Sequence, residues 1–311
     1  MISVAITGGA GFIGANLVER FMEETEVSEI RIFDDFSTGI RREYVDPRVK
    51  VIEGDLRNQD EVLSAFAGVH RVVHLGALPS VPRSIKDPRS SLDVNVIGTL
   101  NVLEAARVHG LEHVVSASSS SVYGANPTLP KSEGLVPQPV SPYAVSKLAT
   151  ESLTNSYLHS YGLPTLAFRF FNVFGPLQRA DHAYAAVVPL FIEALKQGKP
   201  LTVYGDGEQS RDFTSVHVVV DALAKASLRK VTYPSPVNLA FGTRTTLNEA
   251  IEILRKIHPA PIGVDYTEPR PGDVRHSQAS SSLLQSLIHD LRAPALPDAL
   301  REVYDWYFQS V

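Results

Sequence analysis

The order of elements in the sequence predicts an α/β chain: a doubly wound parallel sheet of about seven strands with a smaller C-terminal α/β lobe. Three observations carry this expectation. Short apolar runs alternate with helical patterns from the N-terminus onward. A glycine cluster separates the first run from the first helix. Small or acidic residues stand at the C-terminal ends of the runs, where open α/β sheets bind ligands.

The first strand is Val4-Ala5-Ile6-Thr7, and Gly8-Gly9-Ala10-Gly11-Phe12-Ile13-Gly14 turns it into a helix over residues 15–21. Glycines let the backbone turn tightly and approach a pyrophosphate, which then rests on the free N–H groups of the helix start. Taken alone the pattern also fits an ordinary tight βα turn, and it is the strand ends that follow which make it a dinucleotide site. The second strand, Ile30-Arg31-Ile32-Phe33, ends in Asp34-Asp35, about twenty residues after Gly14. A carboxylate there accepts from both ribose hydroxyls of an adenosine and repels a 2′-phosphate, so the expected cofactor is NAD rather than NADP. Arg41 and Arg42 stand in the loop that follows and weigh the other way. The third strand, Val49-Lys50-Val51-Ile52-Glu53, ends at Gly54-Asp55-Leu56, and the fourth, Arg71-Val72-Val73-His74-Leu75, at Gly76-Ala77. His74 closes an apolar strand and reads as a packed histidine. No second histidine stands at a ligand spacing beside it, so no metal site is expected.

A helical pattern (Leu92, Val96, Leu100, Leu103, Ala106) runs between Asp87 and Gly110. The strand His113-Val114-Val115-Ser116-Ala117 then enters Ser118-Ser119-Ser120-Ser121-Val122-Tyr123-Gly124. A serine run is commonly a solvated loop; beside a cofactor, one of its hydroxyls can bond a substrate oxygen. Ser141-Pro142-Tyr143-Ala144-Val145-Ser146-Lys147 opens the next long helical pattern. Residues four apart share one helix face, so Tyr143 and Lys147 point at one ligand. A phenol is a poor base near its ordinary pKa of about 10, and a neighbouring ammonium favours the phenolate.

Composition removes several function classes. The 311 residues are 44% hydrophobic and 20% charged, ordinary values for a globular chain long enough for two lobes. A net charge of −5 with no basic block argues against nucleic acid as the main partner. There is no cysteine, hence no disulfide, thiolate catalysis or cysteine-ligated metal. No apolar run approaches the roughly 20 residues of a membrane span, and the glycine turn follows the N-terminus with no basic leader. The expectation is a soluble, cytoplasmic protein with no membrane partner.

Beyond these local signals the chain resembles the extended short-chain dehydrogenase/reductase family, specifically its NAD-dependent nucleotide-sugar epimerases and dehydratases. The motifs that carry the likeness run in family order: Thr7-Gly8-x-x-Gly11-x-x-Gly14, Asp34, Gly54-Asp55-Leu56, the serine segment ending Val122-Tyr123-Gly124, and Ser141-Pro142-Tyr143-x-x-x-Lys147. They continue with Arg169-Phe170-Phe171-Asn172-Val173-Phe174-Gly175-Pro176, Gly205-Asp206-Gly207-Glu208-Gln209-Ser210-Arg211-Asp212-Phe213 and Arg270-Pro271-Gly272-Asp273-Val274-Arg275. Ser80-Val81-Pro82-Arg83-Ser84-Ile85, Ala183-Tyr184-Ala185-Ala186-Val187, Arg244-Thr245-Thr246-Leu247-Asn248-Glu249 and Val274-Arg275-His276-Ser277-Gln278-Ala279 are most similar to the UDP-N-acetylhexosamine 4-epimerases. Ser280 departs from the pattern, which has Asp there.

The resemblance implies a Rossmann domain over residues 1–175 with a returning segment over 211–241, and a nucleotide-sugar domain built from 176–210 and 242–311. It implies NAD contacts at Gly8, Gly11, Phe12, Ile13, Gly14, Asp34, Asp35, Ser37, Thr38 and Gly39, and further ones at Asp55, Leu56, Leu75, Ala77, Asn95, Ala117, Tyr143 and Lys147. On the sugar nucleotide it implies Ser80, Arg83, Ser119, Asn172, Val188, Tyr204, Arg211, Arg270, Asp273 and Ser277. Of these, Arg211 and Arg270 clamp the diphosphate, Tyr204 stacks near uracil, Asp273 accepts from the ribose, and a small Ser277 leaves room for a 2-acetamido group.

The implied chemistry is general base catalysis: the Tyr143 phenolate takes the sugar's O4 proton as carbon 4 gives up hydride to the nicotinamide. Lys147 holds the nicotinamide ribose, and Ser119 bonds the sugar oxygen. Ser120 is the second catalytic candidate, and Ser121 competes for the same position. A transient 4-keto sugar then leads to carbon-4 epimerisation, or in a dehydratase to loss of water across carbons 5 and 6. Common 4,6-dehydratases carry an Asp-Glu pair where this chain has Ser120 and Ser121; Glu133 is the alternative base. A non-catalytic NAD-binding regulator on the same fold is the third reading, against which both Tyr143 and Lys147 stand. A homodimer through the helices near 92–109 and 143–161 follows from the resemblance. In the second lobe, a helix from Val187 to Gln197 stops at Gly198, Thr246-Leu247-Asn248-Glu249 is a capping box, and residues 297–308 are amphipathic.

Overall fold

The computed structural model describes residues 1–181, 185–269 and 275–309. In chain order, β1 (Ile2–Thr7), α1 (Phe12–Met22), β2 (Val27–Asp34), β3 (Val49–Glu53), α2 (Gln59–Phe66) and β4 (Arg71–His74) form the first half of the sheet. Next come α3 (Val81–Lys86), α4 (Pro88–Leu92), a π-helical turn (Asp93–Ile97), α5 (Gly98–Val108) and β5 (His113–Ser119). A 3₁₀ turn (Ser120–Tyr123) follows, then α6 (Pro142–Tyr161), β6 (Thr165–Phe170), β7 (Val173–Phe174) and α7 (Val187–Lys196). The remainder is β8 (Leu201–Tyr204), β9 (Ser210–Arg211), β10 (Thr214–Ser215), α8 (Val216–Leu228), β11 (Val237–Leu239), β12 (Thr245–Thr246), α9 (Leu247–Ile257), β13 (Val264–Thr267), α10 (Ser282–Leu287) and α11 (Leu296–Gln309).

The main sheet has seven strands in the order β3-β2-β1-β4-β5-β6-β11, and every neighbouring pair is parallel. This is the doubly wound arrangement the sequence predicts, reversing direction between β1 and β4. Its inner strands β1, β4, β5 and β6 are short apolar runs buried on both faces, whereas the edge strand β3 is largely exposed. One face packs α1, α8 and α10 through Leu17, Phe21, Val219, Leu223 and Leu284. The other packs α2, α5 and α6 through Phe66, Val102, Leu103 and Tyr157. A second core gathers Phe174, α7, β8, α9 and α11 around Ile192, Val203, Leu254 and Val303. The capping box forms as expected: Thr246 Oγ1 accepts from Glu249 N, and Glu249 accepts from Thr246 N.

One expected element differs. The helical pattern between Asp87 and Gly110 is not a single helix but α4, a π-helical turn and α5. The Asn95 side chain in that turn accepts from Leu78 N at 2.7 Å and donates to Ser146 Oγ at 2.9 Å. Wider turns of this kind mark places where a side chain must reach a fixed partner.

Candidate active site

A cleft of about 910 Å³ runs along the C-terminal ends of the central strands. Its nucleotide end is built around the turn from β1 into α1. A Cβ on Gly14 would lie 2.2 Å from the Gly8 carbonyl oxygen, and Gly8 itself has φ +69° with Gly76 N 2.7 Å from where a Cβ would stand. Only glycine fits either place. Gly11 begins α1 with no side-chain cap, so the N–H groups of the first turn face the cleft, ready for an anion. At the end of β2, Asp34 is buried; its two oxygens accept from Ala10 N and Phe36 N, each at 2.9 Å. Burial pushes its pKa up and these two bonds oppose the shift. Each oxygen keeps a further lone pair for a ribose hydroxyl.

The neighbouring arginines are engaged: Arg41 pairs with Glu53 and lies over the Phe36 ring, while Arg42 donates to Ala10 O at 3.3 Å. Phe12, Ile13, Asp35, Ser37, Thr38, Asp55, Leu56, Leu75 and Ala77 complete this wall. Gly39 stands behind it, where a Cβ would meet Ala10 at 2.8 Å. The glycine cradle, the uncapped helix start and a carboxylate at the end of β2 together fit a dinucleotide with a free 2′-hydroxyl.

The other end of the cleft is where α6 crosses β5. Ser141 caps α6 by accepting from Ala144 N, and Pro142 occupies the first turn. The Tyr143 N–H, which a helix start leaves without an internal acceptor, donates to Ser84 Oγ of α3 at 3.0 Å. Tyr143 and Lys147 both line the cleft, as do Ala117, Ser119 and Ser120. The Ser119 hydroxyl lies on the Tyr143 side of the cleft and favours its phenolate, and Lys147 Nζ donates to Ala117 O at 2.9 Å. Burial pushes the Tyr143 pKa up, with the Ser119 hydroxyl opposing. Burial also pushes Lys147 down to about 8, with the Glu151 carboxylate opposing. The protein alone thus raises the phenol's pKa, where the neighbouring cation was expected to lower it. Desolvation wins because it disfavours charge on both partners.

The four serines separate by geometry. Ser118 Oγ donates to Glu151 in the interior, and Ser121 Oγ is buried without a hydrogen-bond partner. Ser118, Ser119 and Ser120 all border the cleft, but the Ser118 hydroxyl is turned to Glu151, which leaves Ser119 and Ser120, and Ser119 is the one that favours the Tyr143 phenolate.

Ser80, Arg83 and Asn172 also line the cleft. Asn95 does not; it holds the Leu78 backbone and Ser146 instead, one layer behind the wall. Asn172 Nδ2 donates to Ser277 Oγ at 3.4 Å, which sets Ser277 just behind the wall. Arg211 Nη1 donates to Ser210 O and Arg275 O, Tyr204 ends β8, and Val188 is buried in the second core. None of these three lines the cleft. Arg270 and Asp273 lie outside the described residues. Glu133 accepts from Asn238 N at 3.0 Å and is off the cleft wall. Sequence reasoning did not place Leu177, Gln178 and Arg179, which line the cleft after a turn where Asn172 (φ +38°) and Leu177 (φ +68°) are left-handed. Asn tolerates left-handed backbone better than other non-glycine residues, but Leu177 gives no such signal. Among the described residues, no group of three or more His, Cys, Asp or Glu could hold a metal ion, and no helix is long and apolar enough to cross a membrane.

A glycine-cradled nucleotide end and a tyrosine–lysine–serine end, on one doubly wound sheet, define a dinucleotide-dependent enzyme. The chain belongs to the NAD-dependent epimerase/dehydratase family, whose model matches residues 4–240. It is 33% identical over 309 residues to the UDP-glucose 4-epimerase of Mycolicibacterium smegmatis, covering 97% of each chain. Its fold is similar to the UDP-N-acetylglucosamine 4-epimerase of Methanobrevibacter ruminantium, solved with UDP-N-acetylmuramic acid: TM-score 0.94, 34% identity, 100% of this chain and 99% of that one. It is also similar to TunA, an NAD-dependent NDP-hexosamine 5,6-dehydratase of tunicamycin biosynthesis: TM-score 0.88, 32% identity, 100% and 99% covered. The protein is an NAD-dependent enzyme of this family.

Proposed function

We propose that the enzyme epimerises a UDP-N-acetylhexosamine, UDP-N-acetylglucosamine in the first instance, at carbon 4. Tyr143 moves the O4 proton, Ser119 aligns the sugar oxygen with the phenol, and Lys147 supplies the positive charge beside them. NAD, when bound, supplies reversible hydride acceptance from carbon 4. Burial leaves the Tyr143 phenol protonated in the protein alone, so loss of its proton waits for positive charge and substrate to gather around it. That gating keeps a reactive base from forming in an empty cleft.

The observation that carries epimerisation over dehydration is the charge around Tyr143. Among the described residues the cleft's carboxylates are Asp34, Asp35 and Asp55, at the ends of β2 and β3. Dehydration needs a group to remove the carbon-5 proton and another to protonate the departing 6-hydroxyl; the Tyr143 end offers serines. Arg83 lines that end with no ion-pair or hydrogen-bond partner for its guanidinium among the described residues, which suits an anionic substrate. The N-acetyl preference rests on the small Ser277 behind Asn172, with Arg211 and Arg270 taking the diphosphate, Tyr204 near uracil and Asp273 on the ribose, as in the family the chain resembles.

In this reading the second core and its segments, 176–210 and 242–311 apart from α10 and the residues just after it, which pack on the main sheet, form the sugar-nucleotide domain. The enzyme is cytoplasmic and dimerises through the π-helical turn, α5 and α6, where Ile97, Val108, Val145 and Tyr161 are exposed; a solution mass of a single chain would refute the dimer. The chemistry is tested by incubation with UDP-N-acetylglucosamine in deuterated water, followed by NMR. Inversion at carbon 4 without deuterium uptake is expected. Deuterium at carbon 5, or loss of the 6-hydroxyl, would establish the dehydratase instead.

A further inference from the structure

Three consecutive residues at the end of β5 face successive turns of α6, and two of them hydrogen-bond to it. Ser119 faces Tyr143 across the cleft wall, Ala117 O accepts from Lys147 Nζ, and Ser118 Oγ donates to Glu151 Oε1 at 2.5 Å. Residues 143, 147 and 151 stand at successive four-residue steps on one helix face. The first two contacts belong to the chemistry above, and the third does not. Glu151 is 4% exposed and Arg169, on β6 directly opposite Ser118 in register, is 2% exposed. Arg169 donates Nε to Oε1 and Nη2 to Oε2, each at 2.8 Å. Its Nη1 has no hydrogen-bond partner, and the guanidinium carbon lies 4.6 Å from the centre of the Tyr123 ring. The buried guanidinium is therefore answered by this one carboxylate.

We propose that Glu151 is a positioning residue for the reaction, which sets the height of α6 over β5 and keeps Lys147 charged. The groups facing Lys147 are Tyr143 and Glu151 on its own helix, His74 on β4 and Arg169 on β6. His74 is neutral, bonded between Thr7 and Thr99. Glu151 is thus the anion that opposes the loss of charge which burial imposes on Lys147. Without it, two cations would share the interior behind Tyr143 with no counter-charge. The inference rests on Tyr143 and Lys147 acting as described above.

The test is the pH profile of kcat with a UDP-N-acetylhexosamine. Glu151→Gln keeps the size and an acceptor for Ser118 but removes the charge. Its alkaline limb, where the Lys147 ammonium is lost, is expected to move to lower pH by about one unit, with KM changed by less than about twofold. Glu151→Asp keeps the charge but withdraws it by one methylene, so kcat falls while the limb stays near its wild-type pH. A Glu151→Gln profile that superimposes on wild type overturns the proposal, and so does a limb displaced equally in Glu151→Asp. Should Glu151→Gln fail to fold with Arg169 left unanswered, Glu151→Gln/Arg169→Gln takes its place, with a smaller shift in the same direction. A limb at the wild-type pH in that variant overturns the proposal as well. Turnover surviving in Tyr143→Phe would instead remove the reading beneath it, a separate result.

Discussion

The two helix starts that face the cleft solve opposite problems. Helix α1 begins at Gly11 with no side chain over its first turn, and glycines on both sides let a ligand reach the bare N–H groups. Helix α6 begins with Ser141 as its cap and with Tyr143 N given to Ser84. Its backbone donors are spent on the protein, and its chemistry lies in side chains one and two turns further along. One end binds with backbone and needs emptiness; the other works with side chains and needs rigidity. A substitution should therefore fail differently at each: by filling space at α1, by deleting or recharging a group at α6.

The largest effect is expected at α6. Tyr143→Phe removes a single oxygen and should lower kcat by about 10²- to 10⁴-fold, the usual range for a lost general base. NAD binding, followed by titration, should change little because the glycine turn is untouched. Near-normal turnover in this variant would refute the role of the phenol. The complementary break is Gly14→Ala. Its new methyl would sit 2.2 Å from the Gly8 carbonyl oxygen, so the turn must open, and NAD affinity should fall by at least about tenfold, the equivalent of 1.4 kcal/mol. Gly134→Ala is the control, since a Cβ there meets nothing within 4 Å. Equal loss of NAD affinity in both would mean that crowding at the turn is not what matters.

This contrast also explains how much could be read from sequence. The α1 end is local: strand, glycines, helix and a carboxylate after the next strand all lie within residues 4–35, so their spacing alone located the site. Tyr143 and Lys147 were legible for the same reason, being one helical turn apart. What surrounds them was not. Leu177, Gln178 and Arg179 reach the cleft because Asn172 and Leu177 adopt left-handed backbone, which no glycine signals. Asn95 was expected on the cofactor and stands off the cleft wall, because the π-helical turn aims its amide at Leu78 and Ser146. The serine run was ambiguous until β5 and α6 were paired, since alternation along a strand sends Ser118 inward and Ser119 to the cleft. Glu151, the next step of the Tyr143–Lys147 face, was not read from the sequence at all, because its meaning depends on Arg169, eighteen residues away and on a strand. Local chemistry could be read; contacts between separate segments could not.

The smallest effect concerns the link between the two ends. His74 Nδ1 lies 2.7 Å from Thr7 Oγ1 at the end of β1, and Nε2 lies 3.0 Å from Thr99 Oγ1. Thr99 Oγ1 in turn gives its own proton to Asn95 O at 2.6 Å and approaches Thr150 Oγ1 of α6 at 3.3 Å. With the Thr99 proton committed, His74 must donate from Nε2 and accept at Nδ1, where Thr7 donates. That tautomer leaves no room for a second proton, and burial pushes the His74 pKa down to about 3. Above pH 6.5 the ring is neutral whether the chain is folded or not, and it contributes no pH dependence. Below 6.5 the unfolded chain takes up a proton that the folded chain refuses, so stability falls as pH drops towards 3, by at most about 1.4 kcal/mol per pH unit from this site. His74→Gln supplies an amide donor and acceptor without a titrating group. Denaturant melts between pH 6.5 and 5 should show a shallower loss of stability in this variant than in wild type, by close to one proton's worth of slope. An unchanged slope would mean that His74 is protonated in the folded enzyme. The bridge between the glycine turn and the catalytic helix would then be built from the opposite set of donors.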